Sequence, residues 1–276
     1  MHYLIKQFVP PIFKTLYWYS FKYGWKGDYA SFEAANKIAS GYNEQNILEK
    51  IKETTRKVVS GEVVYERDGI VYDKPKMNFS MLATLLTVAA ENSCNLTVLD
   101  FGGSLGTTYN HKRHHLQSVH NLHWCIVEQP NYVEAGRKEF EHERLHFYYS
   151  LEECLQHHKP DIVIFSGVIQ YIEKTYELLD QIALSGVKYL YIDYIAFNDE
   201  ERDRIAIQHV PPIYYGTPAS YTCWFYNKKK FYTFMEERYD LVYDFIVDHD
   251  KYYIQFKPFL YEGQLWKLKS STVHPS

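Results

Sequence analysis

From about residue 78 onward, short apolar runs alternate with helical patterns, and this alternation restricts the chain to an α/β fold built on a mostly parallel sheet. Residues 96–101, 123–128, 145–149, 161–165 and 187–195 read as strands. The stretches 81–90, 116–122, 131–141, 151–157 and 174–184 carry apolar residues at helical spacing. Strand, helix, strand in that order implies parallel neighbours joined by right-handed crossovers. The end of the chain differs, because the runs at 241–247, 252–259 and 264–268 have only turns between them. Turns that short join antiparallel partners, so the sheet is expected to finish with antiparallel strands.

Residues 1–75 lack a repeating strand pattern and read as an N-terminal helical extension to a domain at 76–276. Ser31 caps a short helix with Phe32, Ala35 and Ile38 on one side. Asn43 caps a second, with Ile47, Leu48 and Ile51 on one face. Residues 61–75 read as a loop or short hairpin. At the start, Leu4, Phe8, Ile12 and Leu16 lie among Lys6, Lys14 and Lys22. The lysines and prolines interrupt any span of about 20 apolar residues, so this is an amphipathic segment and not a transmembrane helix. It either packs on its own domain or makes peripheral membrane contact through residues 1–25.

Lys and Arg total 30 against 34 Asp and Glu, with no long basic run, which argues against a nucleic-acid partner. Cys94, Cys125, Cys154 and Cys223 lie far apart without a C-x-x-C pair, as expected of free thiols in a reducing cytosol, so a cytoplasmic protein is expected. The 27 Tyr residues suit either packed strands or a ligand cleft lined with rings and hydroxyls. His111 and His115 sit at i and i+4, but no carboxylate joins them at ligand spacing. The run from His111 to His115 is therefore read as a solvated basic helix face, and no metal is expected.

In open α/β sheets, ligands bind beyond the carboxyl ends of the strands. The first such end carries Asp100-Phe101-Gly102-Gly103-Ser104-Leu105-Gly106, where glycines let the backbone turn sharply and approach a ligand. A nicotinamide enzyme wants G-x-G-x-x-G, and counted from Gly102 this chain has Ser104 and Thr107 at the other required positions. The pattern D-x-G-x-x-x-G instead resembles the first motif of the class I S-adenosylmethionine methyltransferases. Glu128 follows Asp100 by 28 residues at the end of the second strand. Ser166-Gly167-Val168-Ile169-Gln170-Tyr171 ends the fourth. Together with Gly27 to Ala35, Gly41-Tyr42 and Pro218 to Tyr221, these segments are similar to a family of methyltransferases associated with bacterial surface-polysaccharide genes.

The resemblance implies a Rossmann-like methyltransferase domain using S-adenosylmethionine on a sugar or glycan acceptor. It implies that Asp100, Gly102, Gly103, Ser104 and Gly106 form the donor loop, that Glu128 grips the ribose beside Gln129, and that Ser150 lies where adenine is contacted. Ser166, Gly167, Val168 and Tyr171 would sit beside the methyl group, with Tyr42 in a lid. Methylating a sugar hydroxyl requires removing its proton. On the loop expected at 209–218, His209 is the candidate base, with Asp193 orienting it. The alternatives are a nicotinamide-dependent sugar oxidoreductase and a non-catalytic nucleoside-binding module.

Overall fold

The computed structural model describes residues 23–40, 44–67, 69–74, 77–212, 218–255 and 257–270. The amphipathic start at 1–22, the lid residues Gly41 and Tyr42, and the cap Asn43 lie outside the described residues. The N-terminal part contains β1 (Gly24–Tyr29), α1 (Phe32–Asn36), α2 (Glu44–Val59), β2 (Tyr65–Arg67) and β3 (Ile70–Tyr72). Next come α3 (Phe79–Glu91), β4 (Asn95–Phe101), α4 (Thr107–Lys112), β5 (Asn121–Val127), α5 (Pro130–Glu139), β6 (Leu145–Tyr148), α6 (Leu151–His157), β7 (Ile162–Ser166), α7 (Thr175–Leu184) and β8 (Tyr189–Asn198). The chain continues through β9 (Arg204–Val210), β10 (Ala219–Asn227), α8 (Lys228–Glu236), β11 (Tyr239–Ile246), β12 (Tyr252–Ile254), β13 (Lys257–Phe259) and β14 (Tyr261–Leu268).

The core sheet runs β6-β5-β4-β7-β8-β14-β11. Its first five strands are parallel, and β14 is antiparallel to both β8 and β11. All of Ile162, Val163, Ile164 and Phe165 in β7 are buried, as expected of a strand with helices on both faces. Strand order reverses between β4 and β7, so the crevice beyond their carboxyl ends is where this topology leaves room for a ligand. In α3, Asn78 caps the first turn by accepting from the Met81 N–H at 3.0 Å, while Met81, Leu85 and Val88 are buried at helical spacing against the sheet.

Several local expectations need correction. The extension is not purely helical: β1 pairs with β9 and β12, and β10, β9, β1, β12 and β13 continue the sheet beyond β8. β8 is the shared strand, pairing with β14 over much of its length and with β10 at Phe197 and Asn198. It therefore continues to Asn198, past its expected end at 195. No helix forms at 116–122. There the Val119 N–H bonds Leu116 O and the His120 N–H bonds Cys94 O, so the backbone is already committed to turns that lead into β5. The run 252–259 is two short strands rather than one, folded back around Gln255 at φ +44. His209 and Val210 belong to β9, not to a covering loop, and residues 213–217 lie outside the described residues.

Candidate active site

The loop after β4 is shaped by its glycines and braced from below. Gly102 sits at φ +70, and a Cβ there would come within 2.5 Å of Val168 Cγ2, so the loop and the segment after β7 meet at the switch point with no room for a side chain. A Cβ on Gly103 would instead lie 2.7 Å from the Asp100 carboxyl carbon. The smallness of Gly103 thus serves close packing on Asp100, rather than leaving space for a ligand as the sequence suggested. Gly106, at φ +93, is the residue from which α4 starts.

Asp100 is fully enclosed under this loop and accepts from Trp124 Nε1 at 3.0 Å. Burial raises its pKa to about 7; Glu128 and Asp193 add to the rise, and the Trp124 hydrogen bond opposes it. Glu128 projects from the end of β5. Its Oε1 accepts the Ser104 N–H at 3.2 Å and its Oε2 accepts the Gln129 N–H at 2.8 Å. Burial raises the proton affinity of Glu128 too, against the pull of those two N–H groups. Ser104 adopts a left-handed φ of +54, and its Oγ is buried without a hydrogen-bond partner.

Across the crevice, Gly167 turns at φ +74 and its N–H bonds Asp193 O at 3.1 Å. The Tyr171 hydroxyl donates to Gln208 Oε1, and Tyr171 meets the ring of Tyr221 with centroids 6.0 Å apart. Ser150 takes a structural place at the start of α6, accepting from the Glu153 N–H at 3.1 Å, and Gln129 is exposed.

His209 and Asp193 do not form the expected pair. Asp193 is buried, and its Oδ2 accepts from Asn78 Nδ2 at 2.7 Å and from the Tyr191 hydroxyl at 3.2 Å. Side chains alternate along a strand, so Gln208 and His209 leave β9 on opposite faces. Gln208 faces Tyr171, whereas His209 lies on the side of Ile205 and Ile207, which pack on Phe32 and Ala35 of α1. Burial, and then Lys26, lower the pKa of His209.

The hairpin β2–β3 lies against the start of α4, beside the glycine loop. The Thr107 hydroxyl, at the start of α4, donates to Glu66, and the Tyr65 ring lies tilted against His111 with centroids 4.3 Å apart. The Arg67 guanidinium lies 4.4 Å from the Tyr194 ring centroid, with a nitrogen 3.4 Å from where a Cβ of Gly167 would be. One strand of three residues thus spans both sides of the crevice. The Asp68-Gly69 pair, a strong hairpin signal, marks this element in the sequence. Nothing local reveals what its side chains touch. The run His111–His115 is solvated only at its end: His114 and His115 are exposed, but Lys112 is 1% exposed and burial lowers the His111 pKa to about 4. Among the described residues, no three His, Cys, Asp or Glu side chains converge as a metal site.

The core sheet, with its parallel first half, a reversal of strand order between β4 and β7 and an antiparallel edge, is a Rossmann-like α/β arrangement. No family model matches the sequence, and no curated protein matches it. Among solved structures, the chain is similar to the 1,6-didemethyltoxoflavin-N1-methyltransferase of Burkholderia thailandensis, bound to 1,6-didemethyltoxoflavin and S-adenosylhomocysteine. The identity is 11%, covering 84% of this chain and 93% of that one, with a TM-score of 0.42. It is also similar to the N-terminal domain of EvdMO1 in the presence of S-adenosylhomocysteine and D-fucose, at 14% identity, 79% and 97% coverage and a TM-score of 0.46. A third likeness is to a magnesium protoporphyrin IX methyltransferase from Synechocystis with bound S-adenosylmethionine, at 12% identity, 69% and 86% coverage and a TM-score of 0.41.

Proposed function

We propose that the chain is an S-adenosylmethionine-dependent methyltransferase that methylates a hydroxyl of a sugar in a bacterial surface glycan or its precursor. The observation that carries the donor assignment is the junction of Glu128 with Ser104 at the switch point. Each oxygen of this carboxylate accepts one backbone N–H and keeps lone pairs for a further donor, which suits a ribose diol. The unpartnered Ser104 hydroxyl and the raised proton affinities of Asp100, Glu128 and Asp193 fit a polar ligand that brings positive charge into the crevice.

When bound, S-adenosylmethionine supplies an electrophilic methyl group, and this chain's residues bind and orient it. Tyr171, Gln208 and Tyr221 offer hydroxyl, amide and ring faces beyond the end of β7, the kind of surface a sugar ring can lie on. Glu128→Ala is expected to weaken S-adenosylhomocysteine by roughly 1.5–3 kcal/mol, the range for hydrogen bonds to a charged acceptor. Calorimetry on both proteins measures it. An affinity that moves by less than about twofold while the melting temperature drops makes Glu128 a brace only, and binding of NAD without S-adenosylhomocysteine would favour an oxidoreductase.

The basic, apolar start is proposed to hold the enzyme near membrane-bound acceptors. Among the described residues no helix is long and apolar enough to cross a membrane. Full-length protein should sediment with anionic liposomes at low salt, since each lysine near such a surface contributes about 1 kcal/mol. Absence of sedimentation there removes the membrane contact.

A further inference from the structure

Three imidazoles gather at the amino ends of β5 and β6, the end of the sheet away from the ligand crevice. His123 leaves β5 on the face that also carries Cys125 and Val127, and His146 leaves β6 on the face of Tyr148. His158, the first residue after α6, closes the triangle. Its ring centroid lies 5.2 Å from that of His146 and 5.4 Å from that of His123, and those two are 5.9 Å apart. All three residues are half-buried, and His123 Nδ1 and His146 Nε2 are buried without hydrogen-bond partners.

A neutral imidazole has one donor and one acceptor nitrogen, whereas a protonated one donates at both. A proton added at either orphaned nitrogen therefore creates a buried donor with nothing to receive it, and sets a positive charge beside two further rings. Burial lowers the pKa of His158 to about 4, with His146, His123 and His157 adding to the fall. Burial lowers that of His146 too, and His123 adds to it, while Glu141 and the Glu143 backbone oppose. Glu141 Oε1 lies 3.8 Å from His146 Nδ1, which lets it meet the charge of one ring but not of three.

Glu153, Glu143 and Asp161 are already engaged, with Arg137 at 2.7 Å, with Arg144 at 3.9 Å and with the Thr97 N–H at 2.8 Å. On α6, His157 stacks on Tyr148 with centroids 5.8 Å apart. The Tyr148 hydroxyl shares a hydrogen bond of 2.8 Å with His158 Nε2 and is kept protonated by burial, and the Cys154 thiol raises the pKa of Cys125. The edge that the three rings fasten is short. Among the described residues β6 has four residues and pairs in the sheet with β5 alone, and α6 has seven. This edge also touches the crevice, because the Glu128 N–H bonds Tyr148 O at 3.1 Å.

We propose that His123, His146 and His158 form a proton-sensitive latch: uncharged, they hold β6 and the end of α6 to β5, and on mild acidification they take up protons by releasing this edge. His158 binds its proton more weakly in the fold than in the released chain. The closed edge therefore keeps its full stability above pH about 6.5 and loses it as pH falls from there toward about 4. His158 alone would favour the open form by on the order of 10-fold between pH 7 and pH 5.

Amide hydrogen exchange on the full chain at pH 7 and pH 5, expressed as protection relative to the unstructured rate, reads the opening of each element. Protection across 145–148 and 151–157 should fall on the order of 10-fold more than across β4 and β7, and in His158→Gln that excess should shrink by roughly threefold or more. A fall shared equally by β4, β6, β7 and α6 overturns the proposal, as does an excess that His158→Gln leaves unchanged. Wild type alone gives a second reading by imidazole proton NMR. Three rings that titrate near pH 6.5 while the edge stays protected would be charged inside the closed fold, which overturns the latch as well.

Discussion

Trp124→Ala is expected to be the most damaging single substitution near the site, lowering stability by about 3–5 kcal/mol through the cavity it leaves. The indole is fully buried on β5, against Tyr109 at 5.9 Å between ring centroids, and its N–H is the donor to Asp100. Removing that donor leaves a buried acid short of a partner, at a further cost of about 1–3 kcal/mol. Because Asp100 underlies Gly103, the damage should reach the glycine loop, and under the proposed donor assignment S-adenosylhomocysteine affinity should fall with stability. Urea unfolding of Trp124→Ala beside Trp124→Phe separates the two contributions, since Phe fills most of the space without donating a hydrogen bond. A loss below about 1 kcal/mol for the Ala variant would show that the floor of the loop is held by something else.

The second large effect is a dependence of stability on pH that belongs to Asp100. Its pKa is raised from 3.8 to about 7, chiefly by burial. Between those values the unfolded chain has released the proton while the fold retains it, so the unfolded state binds fewer protons and stability falls as pH rises. The contribution is fully present below pH about 4 and lost by about pH 7. A shift of this size corresponds to about 4 kcal/mol. Asp100→Asn should remove that slope, so the unfolding free energy of wild type relative to the variant should decline across this window. Parallel curves for the two proteins would mean that Asp100 is already ionised in the fold. Differences between the proteins are the quantity to follow, because other carboxylates, such as the Glu139 paired with Arg56 and Lys52, slope the other way.

Much of the scaffold was legible along the chain. Helices at 151–157 and near 174–184, and strands near 96–101, 145–149 and 264–268, appear where their spacing put them. Ser31 caps its helix as expected, accepting from the Ala34 N–H at 3.1 Å. The glycine turn after β4 and the carboxylate at the end of β5 could be singled out because strand ends and turn residues announce themselves locally. The strands β1, β9 and β10 did not announce themselves. β1 pairs with β9 across about 180 positions of chain, and their edges are satisfied by one another rather than by any pattern within them.

What the sequence by itself determined is therefore the order of elements and the placing of a glycine loop and an acid at adjacent strand ends, since both depend on residues a few positions apart. What only the tertiary structure decided is which groups face one another. Trp124 reaches Asp100 because β4 and β5 are in register, and Asn78 reaches Asp193 across 115 positions of chain. His209 turns away from the crevice because a strand shows alternate side chains to opposite faces, and pairing with β10 fixes which face is which. The hairpin bearing Glu66 and Arg67 meets Thr107 and Tyr194 for the same reason: a side chain's neighbours follow from register and packing, which no local stretch of sequence contains.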